Sequence, residues 1–193
     1  MKTQDTEQAH YVFFRQMPPT IVWGGLERLM VQWFERIDYS RCRVTLVISS
    51  GGGDIYARHL KEKNVPVHIV EYPFRKDFRY VDQFFARFFK TYRLLKGLHP
   101  DKVVFFQGSF FDFDLAHVLA ASLTAKGNVY MHENLGSPPA SQKTSKKYFG
   151  VIPGVALWWY WQRYTNLLRA HVAKKIFTVG KELKERIVSW WGY

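Results

Sequence analysis

Met131-His132-Glu133-Asn134 places an imidazole, a carboxylate and a carboxamide on three consecutive residues. An imidazole titrates near neutral pH and can hydrogen-bond a phosphate or a sugar hydroxyl. His132 is therefore a candidate catalytic residue, and Glu133 and Asn134 are candidate substrate contacts. A histidine at the end of a strand also serves purely structural ends, and the residues alone leave both roles open. Trp23-Gly24-Gly25-Leu26-Glu27-Arg28 is the second feature. Two glycines where a helix begins let an anion approach free backbone N–H groups and the positive end of the helix dipole. The same pair also makes a tight strand-to-helix turn, so Gly24 and Gly25 carry two readings. Gln107-Gly108 follows another apolar run and joins the candidate substrate contacts. Phe110, Phe111 and Phe113 beyond it are either a ligand wall or packing. Gly51-Gly52-Gly53-Asp54 reads as a turn, with Asp54 as the cap of the next helix.

Other chemistries are excluded. Cys42 is the sole cysteine, and the histidines have no ligand spacing, so no metal site is expected. There is no G-x-G-x-x-G, Walker A or G-x-S-x-G pattern, and no cofactor is expected.

These loops need a scaffold that brings them together. Residues 10–14, 43–49, 65–70, 102–106, 128–132 and 175–179 are short, continuous apolar runs. A helical segment follows each of them: 26–37, which is amphipathic, 55–63, 77–95, 114–123, 155–171 and 181–190. The third has Val81, Phe84, Phe85, Phe88, Tyr92 and Leu95 as its buried stripe. Gly97 and Pro100 read as its stop signals, and Asn64 ends the helix before it. Residues 136–154 read as a loop. Strands that are apolar throughout, alternating with helices, predict an α/β fold. The expected form is a doubly wound, mainly parallel, six- or seven-stranded Rossmann-like sheet with helices on both faces. Its ligand crevice lies beyond the carboxyl ends of the strands.

The 193 residues suit one domain, expected over 10–193 after a polar tail at 1–9. The tail lacks the apolar stretch of a signal peptide. The lone thiol and the absence of a membrane span point to the cytoplasm, with peripheral attachment to the inner membrane face as a further expectation. The net charge of +12 favours anionic partners. From Ser141 onward ten Lys/Arg face two acids, so +8 of the +12 lies in that part.

Five segments, in order, resemble group 1 glycosyltransferases. Gly24-Gly25-Leu26-Glu27-Arg28 is similar to the family's "GG-x-E-R" start, and Arg43 to Val47 to its second strand. Leu98-His99-Pro100-Asp101-Lys102-Val103-Val104 is similar to its "h-x-P-D-h-V" segment. Val129 to His132 resembles the strand ending in histidine, and Ala173 to Leu183 its "A-D-x-h-h-h-V-S-x-x-L" segment. Gly180 and Gln107 depart from the family's usual Ser and His. The resemblance covers about residues 10–193.

It implies the acceptor-side domain of a two-domain GT-B enzyme, usually a retaining one. Such an enzyme moves a sugar from a nucleotide-sugar donor to a saccharide or lipid-linked acceptor. Gly24 and Gly25 would lie near the donor phosphates and His132 near the transferred sugar. The nucleotide contacts and the E-x7-E motif belong to a second domain, expected to be missing beyond Gly192-Tyr193. Without it, the chain is expected to lack transferase activity.

Residues 151–175 combine Trp158, Trp159, Tyr160 and Trp161 with Arg163, Arg169, Lys174 and Lys175. Trp158, Trp159, Trp161 and Arg163 are candidate contacts to an anionic membrane surface. Packing against a missing domain or a partner chain is the alternative. A stand-alone basic module for an anionic partner is the rival function. The lack of any nucleic-acid-binding motif weighs against nucleic acid.

Overall fold

The structure, a computed structural model, describes residues 8–15, 24–73, 80–107, 115–133, 147–148, 152–153, 164, 167–178, 180–182, 184–185 and 188. Its elements are β1 (Ala9–Arg15), α1 (Gly25–Glu35), β2 (Cys42–Ser49), α2 (Gly53–Glu62), β3 (Val67–Tyr72), α3 (Tyr80–Leu98), β4 (Lys102–Gln107), α4 (Leu115–Thr124), β5 (Val129–Glu133), β6 (Lys147–Tyr148), β7 (Ile152–Pro153) and β8 (Lys175–Thr178). Six strands form one sheet in the order β3-β2-β1-β4-β5-β8. All its pairings are parallel. The order reverses at β1, so this is the doubly wound, Rossmann-like sheet expected from the apolar strands.

Both faces of the sheet are buried because alternate residues of each strand face opposite ways. On the front face Phe13, Leu46, Ile48 and Phe106 pack with Met30 and Phe34 of α1 and Leu60 of α2. On the back face Phe14, Val47, Phe105 and Met131 pack with Leu95 of α3 and Val118 of α4. Rings link the layers. Phe13 meets Phe34 edge-on at 4.9 Å, and Phe14 stacks on Phe105 at 5.0 Å. Burying each such side chain contributes about 1.5–3 kcal/mol.

His10 fixes the amino edge of the sheet. Its Nδ1 bonds the Leu98 carbonyl at 2.7 Å and its Nε2 meets Thr45 Oγ1 at 2.8 Å. A neutral ring satisfies both contacts: Nδ1–H donates and Nε2 accepts from the hydroxyl. Burial, as the main cause, lowers its pKa below the ordinary 6.5.

Several sequence expectations are corrected. β3 starts at Val67 and not at residue 65. Asn64 does end the α2 exit with a left-handed φ of 53°, and the Val65 N–H then closes on the Leu60 carbonyl, leaving no free residue for the strand. Phe85 is 68% exposed, so it is not part of the buried stripe of α3; Thr91, 0% exposed, takes a place there. A 3.6-residue period cannot bury 84, 85, 88 and 92 equally. Gly97 lies inside α3. The helix ends at Leu98, and His99 just beyond it has φ 49° and donates its N–H to the Leu95 carbonyl. Within the stretch expected to be loop, β6 and β7 form a short antiparallel ladder. Residues 167–172, part of the fifth expected helix, are helical.

Candidate functional site

One register row crosses the sheet near its carboxyl edge. Glu71 of β3 is opposite Ile48 of β2, which is opposite Arg15 of β1. Arg15 is opposite Phe106 of β4, Phe106 opposite His132 of β5, and His132 opposite Phe177 of β8. In-register residues of a parallel sheet share a face, here the one under α1 and α2. At about 4.8 Å per strand, the backbones of Arg15 and His132 are about 10 Å apart.

Arg15 closes the start of α1. Its Nε and terminal nitrogen donate to Glu27 Oε1 at 2.9 and 2.6 Å. Glu27 Oε2 accepts the Gly24 N–H at 3.0 Å. Glu27 thus reaches back to the N-cap, as the third residue of a helix does in a capping box. Both side chains are almost wholly buried, so the pair is desolvated and each charge depends on the other. Tyr56 of α2 is buried beside them. Its phenol pKa is pushed well up by burial, against the opposing charge of Arg15.

Gly24 is extended, with φ −101° and ψ −174°, a conformation open to any residue. A Cβ on Gly25 would meet nothing within 4 Å. Among the described residues, neither backbone strain nor crowding at Gly25 explains the diglycine. The first-turn amides of 25–27 have no helical acceptor by geometry.

The second glycine bend is already filled. Glu71 Oε1 accepts the Gly53 N–H at 3.0 Å and Oε2 the Gly51 N–H at 3.3 Å. This corrects the expected Asp54 cap. The N-cap is Gly52, without a side-chain bond, and Asp54 lies in the first turn. Gly51 has φ 87°, and a Cβ on Gly53 would come within 2.6 Å of Glu71 Oε1. These glycines serve a turn and a carboxylate of the chain itself.

His132 is 2% exposed. Its ring stacks on Phe106 at 5.0 Å and meets the edge of Trp33 at 5.8 Å. Burial lowers its pKa below 6.5, with its own main chain opposing weakly, so the ring is neutral at pH 7. Among the described residues, its Nδ1 is buried with no hydrogen-bond partner from another residue. Leaving such an atom unsatisfied costs about 1–3 kcal/mol.

Of the residues singled out from sequence, Gly24, Gly25 and His132 lie on one face at one edge. The backbones of Gln107 and Glu133 are register partners at adjacent strand tips. Gly108, Asn134, Trp158, Trp159, Trp161 and Arg163 lie outside the described residues. Sequence reading missed Arg15, Tyr56 and Glu71 as site-forming residues and gave Glu27 no contact. The signal for Arg15 was a cation ending the apolar run HYVFFR. For Glu27 it was the acid three residues after Gly24. No helix among the described residues is long and apolar enough to cross a membrane. No protein-family model matches the chain, and neither does any curated protein.

Proposed function

We propose that this domain is the acceptor-side half of a GT-B glycosyltransferase, one that passes a sugar from a nucleotide-sugar to a saccharide or lipid-linked acceptor. One observation carries the reading. The buried Nδ1 of His132, with no partner from another described residue, lies in the same register row as Arg15, whose partner Glu27 is at the start of α1. That row is at the edge where open α/β sheets take ligands. In this reading the bend at Gly24-Gly25 admits the donor phosphates to the first-turn amides. His132 bonds a hydroxyl of the transferred sugar as a neutral imidazole, which suits an uncharged partner. Gln107, Gly108, Glu133 and Asn134 contact the acceptor at the strand tips. Trp158, Trp159, Trp161 and Arg163 hold the domain at the anionic inner face of the membrane.

In this reading the main nucleotide contacts fall to a second domain. The net charge of +12 favours a second reading, a basic module for an anionic surface.

Ligand-detected NMR with saccharides, polyprenyl-phosphate-linked saccharides, anionic vesicles and RNA separates the two. Saturable saccharide binding that His132→Ala abolishes is the expected result. Binding only to vesicles or RNA, unchanged in His132→Ala, contradicts the transferase reading.

A further inference from the structure

Away from the strand tips, the front face holds a cavity of about 430 Å³ between the carboxyl end of α1 and strands β1, β4, β5 and β8. That volume suits a small ligand. Tyr11, Trp33, Tyr130 and Phe177 supply its aromatic walls, and Arg36 and Lys102 supply two cations. Tyr130 and Phe177 are roughly parallel, with ring centres 6.2 Å apart, and Trp33 meets Phe177 edge-on at 5.9 Å. Phe177 is 37% exposed, which is unusual for a ring beside a core.

Among the described residues, the lining has no carboxylate. The acids nearest in sequence are engaged elsewhere. Glu35 pairs with Lys63, Asp38 accepts from Ser40, and Asp101 accepts the His10 N–H. Lys102 donates to Tyr11 Oη at 2.9 Å, a contact that raises its pKa and keeps it charged. The carboxyl end of α1 adds a partial negative charge nearby. An anion in the cavity therefore depends on the two side-chain cations and not on the backbone.

We propose that this cavity binds a small, flat aromatic molecule carrying an anionic group, its ring among Tyr130, Phe177 and Trp33 and its charge at Arg36 and Lys102. Aromatic walls favour stacked and edge-on ring contacts, and a guanidinium favours a carboxylate or phosphate.

Calorimetric titration of the whole chain with 2-naphthoate at low salt tests this. Expected are saturable one-to-one binding, much weaker binding of 2-naphthol, and none of acetate. Arg36→Gln weakens 2-naphthoate roughly tenfold or more. Phe177→Ser weakens it as well. Arg36 is exposed, so its substitution preserves the fold and decides the test if Phe177→Ser loosens β8. Absence of saturable binding, equal affinity for 2-naphthol, or unchanged affinity in Arg36→Gln overturns the proposal.

Discussion

The two halves of the register row near the carboxyl edge are finished in opposite ways. On the β3-β2-β1 side, Glu71 accepts from the glycine bend that opens α2, and Arg15 donates to Glu27, whose other oxygen holds Gly24 at the start of α1. On the β4-β5-β8 side, the row is Phe106, His132 and Phe177, and the imidazole has a buried nitrogen with no partner from another described residue. The first half therefore spends its charges on holding helices in place. The second leaves a polar atom unsatisfied beneath Trp33, beside an aromatic cavity. An unsatisfied buried group lowers stability, so one kept at the edge where open α/β sheets take ligands fits the role proposed for His132.

Substitutions sharpen this contrast. The largest effect is expected for Glu27→Ala, which leaves the Arg15 guanidinium buried and unpaired and removes the Gly24 contact. Urea denaturation should show a loss of about 3–5 kcal/mol. A loss under 1 kcal/mol would mean that the pair does not organise the start of α1. Glu71→Ala removes a helix cap of similar design but in an exposed setting. Its cost should be about 0.5–1 kcal/mol. A cost equal to that of Glu27→Ala would remove the distinction between the two glycine bends.

His132→Phe should have the smallest effect, within about 1 kcal/mol of the parent and on either side of it. It keeps the ring against Phe106 and removes the unsatisfied nitrogen. It should also change the acid response. Burial lowers the pKa of His10 and His132 in the fold below 6.5, so the unfolded chain takes up protons first. Stability is then present above about pH 6.5 and lost as pH falls below it. His132→Phe should reduce that loss, with the remainder due to His10. An unchanged pH profile would show that His132 titrates alike in both states.

Much of the fold was legible because it rests on local pattern. After their first residues, the runs HYVFF and KVVFF are apolar at every position, the pattern of a strand covered on two faces. The sequence also marks the diglycine and the strand-end histidine. It could not show what these residues meet. Asp54 is the local choice of cap for α2, but the actual acceptor, Glu71, comes from the next strand through parallel pairing. The same holds for Arg15, whose partner depends on how α1 docks, and for His132, whose burial depends on Trp33 arriving from α1. The phase of α3 was misread at Phe85 because four phenylalanines at 84, 85, 88 and 89 offer two overlapping stripes, and composition cannot choose between them.

The most direct test of the central claim follows the imidazole resonances of His132 and His10 while the protein is titrated with the saccharide and lipid-linked saccharide panel. The account predicts that His132 moves in a saturable way, as its free nitrogen gains a partner, and that fully bonded His10 stays still. Saccharide binding that leaves His132 unmoved, or shifts the two rings alike, would contradict it.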